Sequence, residues 1–212
     1  MHGQNKTERL AHGYVLAGGG STRFGRDKAL VEMDGAPMLL RMRALLSDIT
    51  NPVNVIASPN KYVALGVTGI ADRWDGQGPL AGIITALLHT KEASSEAQWN
   101  LIIGCDMPFL TREWLAYLVA RALSSSAEVV APRSVQGLEP LCACWRTTAA
   151  QTLQSAFDEG VRKITEAMKR LQMEVLDEAD WKRFDATGRL FWNMNTAADY
   201  DEAKRILEAQ RA

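Results

Sequence analysis

Leu16-Ala17-Gly18-Gly19-Gly20-Ser21-Thr22-Arg23-Phe24-Gly25-Arg26-Asp27-Lys28 is the stretch from which the rest of the chain is read. It follows a short apolar run, Tyr14-Val15-Leu16, that has the character of a buried strand. It then packs a glycine cluster, small hydroxyl residues and three cations into thirteen positions. Glycines let backbone N–H groups approach phosphate oxygens, and successive N–H groups form an anion-binding concavity. Arg23 and Lys28 supply charge that backbone dipoles alone do not. The order is not that of a Walker loop, because Ala29 follows Lys28, and no clean Gly-x-Gly-x-x-Gly is present. A plain glycine-rich strand-to-helix turn with solvated cations is the competing reading. Its place after the first strand favours phosphate binding.

Outward from this loop, strands and helices alternate. Apolar β-rich runs occur at Tyr14–Leu16, Val53–Ala57, Val67–Ala71, Trp99–Gly104 and Glu128–Ala131. Helical spacing occupies Met38–Leu46, Leu80–Leu88 and Trp114–Leu123, with Pro37 and Pro79 suited to first-turn positions. This alternation predicts an α/β fold, a single-domain Rossmann-like α/β/α sandwich around a mostly parallel sheet. Trp99–Gly104 scarcely alternates, as expected of a central strand covered on both faces.

After residue 132 the rhythm changes. Arg133–Gly137 reads as a turn, Leu141–Trp145 as a strand returning antiparallel, Thr148–Phe157 and Arg162–Leu171 as helices, and Leu190–Trp192 as a short strand. Thr196 then caps a last helix from Ala197 to about Gln210. Residues 1–12 read as a flexible leader and 13–212 as one domain.

Composition excludes several classes. A chain of 212 residues with net charge −1 has no global field for nucleic acid or an anionic membrane. No window approaches the ~18 apolar residues of a membrane helix, and the amino-terminal segment lacks a signal-peptide core. Three cysteines, Cys105, Cys142 and Cys144, make no disulfide framework and fit a reducing cytoplasm. Cys142 and Cys144 would share one strand face, where small buried hydrophobes are the simplest account. His2, His12 and His89 have no Ser or Cys partner in a triad arrangement.

In open parallel sheets, ligands bind at the carboxyl ends of the strands. That rule gathers the glycine loop, Asp72 with Asp75 ahead of Gly78-Pro79-Leu80-Ala81-Gly82, Cys105-Asp106-Met107-Pro108, and Asn193-Met194-Asn195. Asp106, directly after a buried strand, needs a cation or donors. Beside a phosphate loop the natural partner is Mg2+, although a helix cap would also use a carboxylate there. Asp72 or Asp75 could accept the two N–H groups of a guanine edge, or cap a turn. Asn193 and Asn195 share a face if the strand continues through them, and could meet metal-bound water or phosphate; turn and cap chemistry competes. Arg162 and Lys163 could attract an anionic second substrate, or be a solvated helix start.

Leu16-Ala17-Gly18-Gly19-x-Ser-x-Arg23-x-Gly25-x-Asp27-Lys28 resembles the signature loop of nucleotidyltransferases with a nucleotide-diphospho-sugar transferase type fold. With Gly78–Gly82, Cys105–Pro108 and Asn193–Thr196, residues 13 to 210 resemble the molybdenum cofactor guanylyltransferase family. The resemblance implies transfer of GMP from GTP to the phosphate of molybdenum-molybdopterin. It implies nucleotide contacts at Leu16, Ala17, Gly18, Gly19, Lys28, Asp72, Gly78, Pro79 and Asp106. It implies catalytic roles for Arg23, Lys28 and Asp106, Mg2+ on Asp106, and molybdopterin contacts at Asn193 and Asn195. Molybdoenzymes or cofactor-delivery proteins would be partners. Where the family can have an asparagine after the second strand, this chain reads Val55-Ile56-Ala57-Ser58. The competing functions are a cytidylyltransferase on the same cofactor, a sugar- or alditol-phosphate nucleotidyltransferase, and a non-catalytic nucleotide-binding delivery protein.

Overall fold

The computed structural model describes residues 11–18, 27–93, 97–185 and 188–209. Gly19 and Arg23 therefore lie outside the described residues. The elements in chain order are β1 (Ala11–Leu16), β2 (Glu32–Met33), β3 (Ala36–Pro37), α1 (Met38–Ser47), β4 (Val53–Ile56), α2 (Pro79–Ala93), β5 (Trp99–Gly104) and α3 (Arg112–Ser124). They continue with β6 (Val129–Ser134), β7 (Gly137–Leu138), β8 (Cys142–Arg146), α4 (Ala149–Asp158), α5 (Ile164–Ala167), β9 (Met173–Leu176), α6 (Glu178–Trp181) and α7 (Ala197–Ala209).

The main sheet runs β4-β1-β5-β8-β6-β7, with β9 also on β6. β1 pairs parallel with β4 and β5, and β9 parallel with β6. β8 is antiparallel to both β5 and β6, as the sequence leads one to expect of residues 141–145. Because β8 reverses once between them, β6 points the same way as β5. The carboxyl ends of β1, β4, β5, β6 and β9 thus share one edge of the sheet.

Period-two alternation sends side chains to two cores. Val15, Leu101, Ile103, Cys142 and Cys144 face α1 and α3, where Trp114 is fully buried. Tyr14, Ile102, Ala143 and Trp145 face α2 and α4. Cys142 Sγ accepts a 3.3 Å hydrogen bond from Trp114 Nε1, and burial pushes its thiol up to about 12. Both β8 cysteines are thus buried packing residues.

Several boundaries differ from expectation. Residues 67–71 form no strand: Ile70 makes only an isolated bridge to Ile56. The 190–192 segment is a turn, its Trp192 N–H bonded to the Arg189 carbonyl at 2.9 Å. Residues 133–137 do turn, but β6 extends to Ser134 and pairs with β7 as a small hairpin. The helix expected over 162–171 is one α turn followed by a 3-10 turn, and β9 follows. Thr111 caps α3 through the Trp114 N–H. Thr196 and Asp199 cap α7 reciprocally, at 3.2 and 2.8 Å. Among the described residues no helix is long and apolar enough to cross a membrane.

The opposite, amino edge carries a buried polar network. The Tyr14 hydroxyl lies 2.8 Å from His89 Nδ1 and 2.7 Å from Thr90 Oγ1. Thr90 Oγ1 also meets Asn100 Oδ1, and His12 Nδ1 at 3.3 Å. Burial first, and His89 second, lowers the His12 pKa from its ordinary value. The unfolded chain therefore takes up the proton first as pH falls, and stability is lost below about 6.5. The urea midpoint should drop between about pH 7 and pH 5.5, and drop less in His12→Gln; an equally steep fall in that variant would assign the effect elsewhere.

Candidate active site

Two chain segments leave the carboxyl edge side by side. β1 continues as Ala17–Gly18, and β5 as Cys105–Asp106, with Leu16 and Gly104 as register partners. Gly104 is needed here, since a Cβ on it would stand 2.8 Å from Asp106 Oδ1. Lys28, in the 3-10 turn that follows the glycine loop, reaches across. Its Nζ lies 3.3 Å from Asp106 Oδ2 and donates to Asn195 Oδ1 at 3.0 Å. The pair is partly buried, with side chains 15% and 24% exposed, so water screens it less than a surface ion pair. Met194 N–H donates to the Asp106 carbonyl at 2.9 Å and locks the Asn193–Asn195 segment onto the end of β5.

Tyr62 closes the arrangement from below. Its buried hydroxyl lies 2.9 Å from the Ala17 carbonyl and 3.0 Å from Asp27 Oδ2. Ala17 and Asp27 flank the glycine loop, so one phenol ties its two ends. Asp27 also caps the Lys28 turn through Ala29 N–H and pairs with Lys61 at 2.9 Å. Burial, and then the Asp27 charge, pushes the Tyr62 hydroxyl far up, so it is a neutral hydrogen-bonding group.

A cleft of about 250 Å³ opens over this junction. Leu16, Ala17, Gly18, Lys28, Asp72, Gly78, Pro79 and Asp106 all line it. Cys105 lines it too, but burial, with Asp106 and Asp27 adding, pushes its thiol up to about 12. It is therefore no thiolate nucleophile near neutrality. A second cleft, about 470 Å³, shares Gly18, Asp72, Gly78 and Pro79 and adds Ser58, Lys61 and Asp75. Asp72 stands between the two. Its Oδ1 accepts from Trp74 N–H at 3.1 Å and from the Thr85 hydroxyl at 2.9 Å, and Oδ2 points toward Gly82. Gly82, on the first turns of α2, faces Leu16, whose methyls would be 3.4 and 3.5 Å from an added Cβ. Gly78 has φ +89°, a conformation that favours glycine.

Other expected residues fall elsewhere. Asn195 joins the junction, whereas Asn193 Nδ2 turns back to the Phe191 carbonyl at 3.4 Å. No strand runs through them, so they share no strand face. Arg162 lies 3.8 Å over Phe157, donates to the Phe157 carbonyl at 2.6 Å, and reaches Gln77 Oε1 at 3.3 Å. It braces the loop before α2 and lines neither cleft. Lys163 lines neither cleft. Tyr62 and Lys61 were missed, because no repeat or spacing in the sequence points to them.

Among the described residues no three His, Cys, Asp or Glu side chains converge on a metal position. Asp106, with Asp27 and Asp72 in the same cleft, still fits Mg2+, which is commonly held by one or two carboxylates completed by substrate phosphates and water.

The model of the MobA-like NTP transferase domain matches residues 13–173. The chain belongs to this family. It is 27% identical over 201 residues to the molybdenum cofactor guanylyltransferase of Desulfosudis oleivorans, covering 94% of this chain and 96% of that one. The crystal structure of molybdopterin-guanine dinucleotide biosynthesis protein A from Archaeoglobus fulgidus superposes with a TM-score of 0.79 at 26% identity, over 93% of this chain and 99% of that one. A nucleotidyl transferase from Methanothermobacter thermautotrophicus superposes at 0.71 with 13% identity over 95% and 99%, a likeness of fold alone. Like other members of its family, this chain is a nucleotidyltransferase.

In this family member, the contact between residues 104 and 106 gives a direct test of geometry. Gly104→Ala should displace the Asp106 carboxylate and lower turnover by about 10²-fold, with the urea midpoint little changed. Full activity in that variant would show that the position of Asp106 does not matter.

Proposed function

We propose that the chain transfers GMP from GTP to the terminal phosphate of molybdopterin, forming molybdopterin guanine dinucleotide and releasing pyrophosphate. The observation that carries this reading is the meeting of Lys28, Asp106 and Asn195 at the carboxyl edge, in a chain of this family. An oxygen of the molybdopterin phosphate bonds to the α-phosphorus of GTP. The bond from that phosphorus to its bridge oxygen breaks, and the electron pair leaves with pyrophosphate.

A phosphate nucleophile is already ionised near neutrality, so the cleft needs no general base. Its work is positioning and charge stabilisation. Lys28 neutralises phosphate charge, and the backbone N–H groups of the glycine loop bind phosphate oxygens. Arg23 adds a second cation from that loop. Asn195 fixes Lys28 and faces the incoming substrate. Asp106 is the residue that would hold Mg2+, whose chemistry when bound is to offset charge on the phosphates. Asp72 and Asp75 offer acceptors to the two N–H donors of a guanine edge. Asp72 Oδ1 already accepts from two donors, so Oδ2 and Asp75 supply the acceptance.

Thermal stabilisation with Mg2+ and GTP, CTP or UTP tests base choice. GTP should raise the melting temperature most. An equal or larger rise with CTP would make the chain a cytidylyltransferase. Asp106→Ala should lose at least about 10²-fold in pyrophosphate release from GTP and molybdopterin, with the fold intact. Retained turnover would remove Asp106 from the mechanism.

A further inference from the structure

The sheet edge that carries these two clefts holds a third cavity farther along. It has a volume of about 350 Å³, within the ~300–1,000 Å³ of small-molecule sites. Trp181, Phe191 and Trp192 form its aromatic wall, with Val135 and Gln136 from the β6–β7 turn opposite. The aromatic wall is braced. Trp192 stacks on Phe109 with centroids 5.6 Å apart and planes 24° from parallel. Trp181 meets Phe191 edge-on at 5.2 Å, and its Nε1 donates to the Arg133 carbonyl at 3.0 Å. Glu178, Lys182 and Asp185 add charged groups to the lining, Glu178 paired with Lys182 and Asp185 receiving the Arg189 N–H.

The position of this cavity follows from topology. Ser134, at the carboxyl end of β6, lines it, whereas Asp106 follows the carboxyl end of β5. β8 alone lies between those strands, so they are about 10 Å apart. The partition is fixed: Glu139 is buried and accepts from the Ser134 hydroxyl at 2.6 Å. On the far side, three residues lead from Trp192 to Asn195, with Met194 tied to Asp106 between them.

We infer that this cavity takes the pterin end of the second substrate, stacked on Trp192, while the substrate's phosphate reaches Lys28 and Asn195. The inference rests on the guanylyl-transfer reading. A pterin is a flat, nitrogen-rich bicycle with a ring N–H and an amino group. It matches an aromatic wall with acceptors on the lining: the ring stacks, and its N–H and amino groups donate. One phosphate-bearing arm spans the separation between the two strands. Asn195 then touches the phosphate end of the substrate, and Trp192 its ring.

The pterin alone, as 6-hydroxymethylpterin, can be titrated into the full chain and followed by its own fluorescence. Saturable quenching is expected, at least tenfold weaker in Trp192→Ala and largely kept in Trp192→Phe, with GTP affinity unchanged in both. With molybdopterin as substrate, Trp192→Ala should raise KM for molybdopterin and leave KM for GTP. No saturable quenching by wild type, or unchanged affinity in Trp192→Ala, overturns the assignment. Loss of the pterin site with GMP transfer intact would leave the function standing. Pterin binding without any transfer would do the reverse.

Discussion

A carboxylate at the end of a strand buried along its whole length cannot stand without a counter-charge, and the arrangement of the site depends on how Asp106 is answered. Lys28 answers it, from the far end of the glycine loop. That reach requires the loop to return to the sheet, which the Tyr62 hydroxyl secures by holding Ala17 and Asp27 together. It also requires Asp106 to keep its rotamer, which leaves residue 104 no room for a side chain. Asn195 and the Met194 N–H fasten the late segment to the same point. The turn that carries Lys28, a strand end and the lead-in to the last helix meet at one junction.

Around that junction the structure separates charge from packing. The cations and carboxylates stay at the carboxyl edge, and the two apolar cores lie below it. The thiols nearest the site are held neutral by burial, so the cleft has a positioning character rather than a nucleophilic one. His12 and His89 sit at the amino edge, in a network with Tyr14 and Thr90, away from the residues that line the cleft.

Much of this was legible in the sequence, for physical reasons. Trp99–Gly104 is apolar on both faces, so its central place could be read and its bounds coincide with β5. Thr196 with Asp199 is a capping pair that needs only local geometry. The strand-end rule brought Lys28 and Asp106 together because β1 and β5 pair in parallel; Asp72 lines the same cleft without the strand expected before it, next to the single parallel bridge of Ile70 to Ile56. Residues 67–71 looked like a strand because valine and isoleucine favour one, yet Gly69 sits with the Ala57 carbonyl 2.6 Å from where a Cβ would be, and only a single bridge forms. β9 lacked a clean alternation, and its partner β6 gives it register from 44 residues away. Tyr62 was illegible because its role is a hydrogen bond to two loop ends, which no spacing encodes. Asn193 was assigned with Asn195 on an assumed strand, and a turn there sends the two side chains apart.

The junction also bears on how the molecule comes into being. Lys28 bonds a residue 78 positions away and another 167 positions away. Contacts of such separation are the slowest to form, because chain closure must precede them. On a ribosome the glycine loop emerges early, but Asn195 arrives only with the final helix. A nascent or shortened chain can hold a formed β1–β5 pairing and still have no completed site. Competence for chemistry thereby waits on the segment that carries Asn195.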